Sequence, residues 1–191
     1  MDLAGWDERY RAEADLKTAR LPAATPLLVD GAASLPPGRA LDLACGTGRN
    51  ALWLAERGWI VTAVDGSPVA IDILRDRARR LGVAVDARLS DFEKAEFAIE
   101  PACWNLIAMC YYLERALFGP SKVGLVPGGL FVAIALLIEP GHTNSPFRLE
   151  RGELRHHFED WEILHYREGR DQWRHAVAEI VVRKPMLILD P

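Results

Sequence analysis

Several features that would mark a special class of protein are scarce in this chain of 191 residues. It has only three cysteines, an odd number at irregular spacing, so we expect no disulfide framework and a reducing compartment. Charge of one sign does not dominate either, because Lys+Arg 23 against Asp+Glu 27 gives a formal net charge of −4. A weakly acidic balance disfavours general binding to nucleic acids or to anionic membranes, which depends on neutralising phosphates. We therefore expect neither as a partner.

The sequence also lacks a long apolar run. Its longest stretch without charge lies between Lys122 and Glu139, and the Pro-Gly-Gly segment at 127–129 interrupts it. The remaining apolar part, 130–138, is shorter than the roughly 20 residues that a membrane-spanning helix needs, so we predict a strand buried on both faces. The first residues carry charges where a signal peptide has its apolar segment, so we expect a cytoplasmic protein.

What remains is the composition of an ordinary globular protein, 50% hydrophobic and 26% charged, with room for about one domain. Turn-forming residues at 21–37 separate an N-terminal helical arm and connector (1–38) from a main domain (39–191). In that domain strand-like and helical segments alternate, which favours a mostly parallel sheet covered by helices on both faces. The predicted strands are 39–44, 59–64, 83–89, 104–110, 128–138, 161–166 and 175–182, the last two as an antiparallel pair, with a helix at 150–158 between the fifth and sixth.

The strongest functional signal is the segment Asp42-Leu-Ala-Cys-Gly-Thr-Gly48, where the first strand turns into a helix. Its two glycines would let a ligand approach the bare backbone. Asp65 ends the second strand, and Asp91 follows the third with Phe92 beside it. Because the carboxyl ends of parallel strands meet at one edge of a sheet, these residues are predicted to line one ligand crevice.

Two classes of cofactor compete for this crevice. Gly46-Thr-Gly48-Arg-Asn-Ala51 satisfies the G-x-G-x-x-A pattern of dinucleotide-binding proteins, with Asp65 as the ribose acid. A dinucleotide would place a pyrophosphate dianion close to Asp42, however, and Cys45 crowds a position where such loops prefer small residues. S-adenosylmethionine carries an ammonium, a sulfonium and no phosphate, so the charge favours this methyl donor. A nicotinamide-dependent oxidoreductase remains the alternative.

These motifs resemble those of the class I S-adenosylmethionine-dependent methyltransferases. The resemblance rests on Asp42 to Gly48, on Val64-Asp65-Gly-Ser-Pro68 and on Ser90-Asp91-Phe92, and it covers most of the chain from the first strand onward. Trp6-Asp-Glu-Arg-Tyr10 and Arg151-Gly-Glu-Leu-Arg155 are similar to small bacterial members of the tellurite-resistance or thiopurine methyltransferase-like type. The resemblance implies a Rossmann-like, doubly wound, mostly parallel seven-stranded sheet with helices on both faces and an antiparallel last strand.

The sequence departs from the family pattern at two places. Ala44 replaces the first glycine of the loop, which is tolerable because Gly46 and Gly48 remain. Gly119-Pro120 is expected to cut short the helix before the fifth strand.

The resemblance also implies how the methyl donor is held. The loop from Ala44 to Gly48 would hold its methionine part with Asp42 beneath, Asp65 would accept hydrogen bonds from both ribose hydroxyls, and Asp91 would accept one from the adenine amine. The implied donor-binding residues are Asp42, Ala44, Cys45, Gly46, Gly48, Asp65, Gly66, Ser67, Asp91, Phe92, Cys110 and Tyr111.

The implied reaction moves a methyl group to a small-molecule acceptor such as a thiol or a chalcogen oxyanion by in-line displacement, leaving S-adenosylhomocysteine. Alignment of the reactants can supply roughly 7–11 kcal/mol. A thiolate or oxyanion needs no general base, whereas an alcohol or phenol needs one. No residue is assigned to catalysis itself, and the acceptor-side candidates are Tyr112, Arg115, His142 and Asn144.

The remaining expectations concern the arm and the partners. Trp6 and Tyr10 lie one helical turn apart, either as a lid over the donor or as a hydrophobic anchor. We expect no metal site, because the residues around His156 and His157 cannot all share one helix face. We expect a monomer or homodimer, and a non-catalytic donor-binding protein is a third possible function.

Overall fold

The computed structural model describes residues 3–15, 22–94, 96–139 and 145–186. The helices are α1 (Leu3–Asp15), α2 (Pro26–Ala32), α3 (Arg49–Ala55), α4 (Pro68–Leu81), α5 (Phe118–Gly124) and α6 (Glu153–His156). The strands are β1 (Arg39–Leu43), β2 (Ile60–Asp65), β3 (Val85–Leu89), β4 (Trp104–Cys110), β5 (Leu125–Leu136), β6 (Glu162–Arg170) and β7 (Ala176–Arg183).

The strands form one seven-stranded sheet in the order β3-β2-β1-β4-β5-β7-β6. β2 pairs in parallel with β1 and β3, and β4 pairs in parallel with β5. β7 runs antiparallel to both β5 and β6. The predicted fold class, a Rossmann-like, mostly parallel sheet with an antiparallel last strand, is therefore confirmed.

The chain divides into two compact units, Met1–Ala98 and Ile99–Pro191. In the first unit, side chains such as Leu41 on β1 and Leu74 on α4 are fully buried. In the second unit, Phe131 on β5 stacks on Phe158 at a centroid distance of 4.8 Å. Each unit thus has its own apolar core, and the predicted division into an arm (1–38) and a domain (39–191) stays a prediction.

Helix α4 forms where local signals at both ends predict it. The Ser67 hydroxyl accepts a hydrogen bond from the Ala70 N–H at 3.1 Å, and Pro68 occupies the first turn. Gly82 follows the last residue with a φ of 69°, a left-handed conformation that glycine adopts without steric cost. These two ends therefore set the bounds of the helix that connects β2 to β3.

Strand β5 begins earlier than predicted. Its pairing with β4 shifts from Leu125 opposite Trp104 to Leu130 opposite Leu106, so the Pro-Gly-Gly segment lies in an irregularity of the strand. From Leu130 to Ala135 every residue is buried, which confirms a strand covered on both faces.

Two helix predictions in the second unit were wrong. Gly119-Pro120 does not cut a helix short, because α5 begins at Phe118 and Pro120 lies in its first turn, where a missing N–H costs no intrahelical bond. The helix predicted at 150–158 spans only Glu153–His156, since Gly152 has a φ of 80° and cannot continue a right-handed helix. Among the described helices, none is both long enough and apolar enough to cross a membrane.

Candidate functional site

The loop between β1 and α3 turns through three residues with positive φ, Ala44 (53°), Gly46 (53°) and Gly48 (88°). Gly48 has a packing reason to be glycine, because an added Cβ would lie 2.1 Å from Cδ1 of Leu74. Ala44 takes up a left-handed conformation that its own Cβ disfavours. Residues 44–48 therefore follow a partly left-handed backbone path. They are called the donor loop from here on, because the sequence predicts that they hold the methyl donor.

Asp65, at the end of β2, ties the donor loop to the β2–α4 turn. Its Oδ2 accepts a hydrogen bond from the Gly46 N–H at 2.7 Å, and its Oδ1 accepts one from the Ser67 N–H at 2.9 Å. Burial raises the pKa of Asp65, although these two N–H groups act in the opposite direction. Each carboxylate oxygen can accept a second hydrogen bond, so the side chain keeps capacity for a ligand.

Asp42, on β1, is the most unusual polar side chain of this unit. It is 1% exposed, and its Oδ2 has no hydrogen-bond partner within the part of the chain that the structure describes. Burial raises the pKa of Asp42 to about 7, against the opposing effects of the Arg49 charge and the Ala51 backbone N–H. A buried carboxylate with an unsatisfied oxygen is costly unless a ligand group compensates it.

Cys45 lies inside the donor loop and is buried. Burial raises the pKa of its thiol, with the charges of Asp42 and Asp65 acting in the same direction. The backbone of Cys45 stabilises the loop. Its N–H donates a hydrogen bond to the Val64 carbonyl at 3.0 Å, and its carbonyl accepts one from the Gly48 N–H at 3.0 Å. A neutral, buried thiol fits a packing role and not a reactive one.

The predicted adenine-side residues follow β2 and β3. Gly66 is half-buried and Ser67 is fully buried. The Asp91 carboxylate contacts Lys94 Nζ at 3.0 Å, and the buried Phe92 ring meets Phe97 edge to face at 6.0 Å. Like Asp65, these residues lie at the carboxyl ends of parallel strands in the first unit.

Helix α1 lies against the donor loop and the β2–α4 turn. The Tyr10 ring covers Gly46, because a Cβ added at Gly46 would be 3.0 Å from the Tyr10 hydroxyl oxygen. Trp6 and Tyr10 stack at 5.7 Å, and the Ser67 hydroxyl donates a hydrogen bond to Asp7. The structure thus adds Asp7 to the site, a residue that no local sequence pattern relates to Ser67, which lies 60 residues away.

In the second unit, Cys110 and Tyr111 lie at the end of β4. Cys110 is buried, and Tyr111 has a φ of 63° while its N–H donates to the Ile134 carbonyl at 2.6 Å. The Tyr111 ring meets Trp173 edge to face at 5.6 Å. Trp173 is 51% exposed, and no motif of the sequence indicates it. A left-handed conformation at a non-glycine residue is common at functional sites.

Arg115 has partners within its own unit. Its Nε and Nη2 bind the Glu153 carboxylate at 2.6 and 3.0 Å, and its Nη1 and Nη2 donate to the carbonyls of Pro146 (2.7 Å) and Arg148 (2.9 Å). Tyr112 is half-buried. The other acceptor-side candidates, His142 and Asn144, lie outside the described residues. Among those described, no group of three or more His, Cys, Asp or Glu side chains could hold a metal ion.

Comparison with known families gives a match over most of the chain. A family model described as "Tellurite resistance protein TehB" matches residues 17–180. The protein "Hemagglutinin 1" of Eikenella corrodens is 29% identical over 143 residues, which cover 71% of this chain and 48% of that protein. The "Probable S-adenosyl-L-methionine-dependent methyltransferase TehB" of Haemophilus influenzae is 27% identical over 153 residues, covering 74% and 52%.

Solved structures share the fold. The crystal structure of TehB from Haemophilus influenzae matches with a TM-score of 0.70 at 25% identity, covering 82% of this chain and 61% of that one. The [4+2]-cyclase SpnF matches with a TM-score of 0.68 at 19% identity, covering 88% and 85%. The chain spans about half the length of the curated relatives it matches. Because the family model covers most of its sequence, this chain belongs to the tellurite resistance protein TehB family, as its motifs predicted.

Proposed function

We propose that this chain is an S-adenosylmethionine-dependent methyltransferase acting on a small-molecule acceptor. The observation that carries the proposal is the buried Asp42 carboxylate, whose Oδ2 lacks a hydrogen-bond partner among the described residues. A cationic ligand group beside it would offset the cost of burying that charge. The ammonium of the donor's methionine part is such a group, so the residues present fit this cofactor.

The same acids disfavour a dinucleotide. Asp42 and Asp65 are both buried in the first unit, and the charge of Asp65 is one of the influences that raise the pKa of Asp42. Like charges repel more strongly in a buried site than in bulk water, because the effective dielectric constant is lower. A pyrophosphate would bring further negative charge to the donor loop, whereas S-adenosylmethionine has no phosphate. The nicotinamide-dependent oxidoreductase is therefore the weaker alternative.

The positions of the side chains support an assignment of the donor's parts. We propose that the donor loop (44–48) and Asp42 hold its methionine part and that the remaining acceptor capacity of Asp65 binds the ribose hydroxyls. Gly66, Ser67, Asp91 and Phe92 would surround the adenine, with Cys110 and Tyr111 as further donor contacts. Tyr10, which covers Gly46, would act as part of a lid. When bound, the donor supplies a methyl group on a sulfonium, a good leaving group.

The acceptor that we propose is a thiol or a chalcogen oxyanion. The family's description concerns resistance to tellurite, which is such an oxyanion, and an anionic nucleophile needs no general base. Since the guanidinium of Arg115 makes four hydrogen bonds to protein groups, we propose that it positions the segment 145–153 and does not touch the acceptor. Tyr112, His142 and Asn144 remain the candidates for that contact.

Calorimetric titration tests the donor assignment. S-adenosylhomocysteine is expected to bind with micromolar affinity and NAD(H) not at all, and the reverse result would overturn the proposal. Asp65→Ala should abolish binding, whereas Asp72→Ala, an acid that is 79% exposed on α4, should leave it unchanged. Urea unfolding of both variants separates loss of a ligand contact from loss of the fold, because Asp65 also holds the donor loop.

Methyl transfer from labelled donor to a panel of thiols, phenols and chalcogen oxyanions tests the enzymatic step. Transfer to a thiol or oxyanion would support the proposed acceptor class. Tight donor binding without transfer to any acceptor would favour a non-catalytic donor-binding protein, since a shared fold does not specify an activity. We further propose that the protein works in the cytoplasm, as a monomer or homodimer, without nucleic-acid or membrane partners.

A further inference from the structure

Strand β3 ends the sheet, and within the described residues no strand pairs with its outer side. Its residues are Val85-Asp86-Ala87-Arg88-Leu89. The next residue, Ser90, donates its N–H to the Asp65 carbonyl at 3.0 Å, so even-numbered residues direct their backbone groups toward β2. Alternation then directs the N–H and C=O groups of Val85, Ala87 and Leu89 outward. Such an edge is a template for another strand.

A contact within the same unit supports this direction. The Ala87 carbonyl accepts a hydrogen bond from Arg75 Nη2 at 2.8 Å and therefore points away from β2. The Arg75 side chain is 53% exposed and lies on a flexible stem, so another donor can replace it at that carbonyl.

The residue order of β3 is complementary to itself when a second copy runs antiparallel. With Ala87 opposite Ala87 of the second copy, Asp86 faces Arg88 and Val85 faces Leu89, in both directions. The outward groups of the three odd-numbered residues then form about six main-chain hydrogen bonds. Asp86 and Arg88 would be close non-hydrogen-bonded pairs, where opposite charges stabilise a sheet.

The charges select this register over its neighbours. A shift by two residues in either direction keeps the hydrogen-bonding groups aligned but places Asp86 opposite Asp86, or Arg88 opposite Arg88. Like charges directly opposite each other are destabilising, and a shift by one residue exchanges the two faces. In the register with Ala87 opposite Ala87, opposite charges face each other, the backbone groups form hydrogen bonds and the apolar side chains lie on one face. This register is therefore the favoured one.

The side chains concerned are accessible in this unit. Leu89 is 55% exposed, and the side chains of Asp86 and Arg88 are 52% and 45% exposed. Within one chain Arg88 Nε already donates a hydrogen bond to Asp86 Oδ2 at 2.8 Å. When two copies pair, each charge can therefore replace this partner by the opposite charge of the other copy, so that neither charge is buried without a partner. We propose that the outer edge of β3 pairs with a second copy of this chain and joins two sheets into one.

Charge-reversal variants test the pairing. The association of the whole chain is measured by sedimentation velocity over a concentration series. Wild type is expected to show a reversible monomer–dimer equilibrium. Asp86→Arg places arginine opposite Arg88, and Arg88→Asp places aspartate opposite Asp86. Each variant should therefore weaken the dimer about ten-fold or more. Mixing the two variants restores both ion pairs, so the mixture should form a heterodimer that neither forms alone.

The double variant Asp86→Arg/Arg88→Asp also restores complementarity and should dimerise like wild type, which shows that the substituted strands still fold. In hydrogen exchange, the amides of Ala87 and Leu89 should become more protected as the concentration rises. A wild type that stays monomeric, single variants that dimerise unchanged, or a mixture that fails to associate would each overturn the proposal.

Discussion

The substitution Asp42→Asn removes the charge of a side chain that is 1% exposed while keeping its size. Burial raises the pKa of Asp42 from 3.8 to about 7. Because a ten-fold change in an ionisation constant corresponds to about 1.4 kcal/mol, the ionised carboxylate is expected to destabilise the ligand-free protein by about 4 kcal/mol. The variant should recover most of this free energy of unfolding at a pH above the folded pKa.

The sign of the pH dependence follows from the raised pKa. The unfolded chain ionises Asp42 near its ordinary pKa, whereas the folded chain holds the proton until about pH 7. Stability from this group is thus fully present below about pH 4 and is lost as the pH rises through about 7. Urea unfolding of ligand-free wild type and variant should give similar free energies near pH 4, and the variant should be more stable by up to about 4 kcal/mol near pH 8.

The same variant should bind the methyl donor less well, because an amide offers no charge to the ammonium. Hydrogen bonds to charged groups contribute about 1.5–3 kcal/mol, so the Kd of S-adenosylmethionine should rise roughly ten- to a hundred-fold. Asp72→Asn, on the exposed face of α4, is the control and should change neither quantity. A variant that is destabilised equally at both pH values, or that binds the donor as wild type does, would refute the reasoning.

Two further substitutions test the donor loop and the Arg115 contacts. Ala44→Gly relieves a φ of 53° and should stabilise the protein by about 0.5–1 kcal/mol in urea unfolding, despite the greater freedom of glycine in the unfolded chain. A loss of stability would show that Ala44 is unstrained. Arg115→Lys cannot keep the bidentate contact with Glu153, so the free energy of unfolding should fall by about 1 kcal/mol while the donor Kd stays unchanged. Loss of methyl transfer without loss of stability would instead place Arg115 at the acceptor.

The sequence predicts the fold best where the deciding contacts are local. Helix α4 carries its own start and stop signals in Ser67, Pro68 and Gly82, and these residues lie where the helix begins and ends. The start of helix α6 could not be predicted from local signals. Gly152 can adopt a right-handed or a left-handed backbone conformation, and its surroundings decide between them. The prediction for Gly119-Pro120 failed for a related reason, since proline ends a helix or begins one according to where the chain turns.

The candidate site shows the same limit. A motif identifies Asp65 as an acid at a strand end, but it does not show that the carboxylate already accepts hydrogen bonds from Gly46 and Ser67. The pairing of Ser67 with Asp7 and that of Arg115 with Glu153 join residues far apart in the chain. Such contacts depend on how helices and strands pack against each other. A single sequence does not show which of several possible partners each side chain has.

The arrangement of acids bears on how the proposed site would discriminate between the methyl donor and its product. The charge of Asp7 is among the influences that raise the pKa of Asp65, and that of Asp65 raises the pKa of Asp42, so like charges in one unit oppose each other's ionisation. That opposition lowers the stability of the ligand-free protein and is relieved by any cation that enters. A ligand that binds only the folded state stabilises it according to its concentration and Kd. At equal concentration, the proposed donor S-adenosylmethionine, which carries a sulfonium, should therefore bind more tightly and stabilise the fold more than S-adenosylhomocysteine, whose sulfur is neutral. This difference would favour release of the product after transfer.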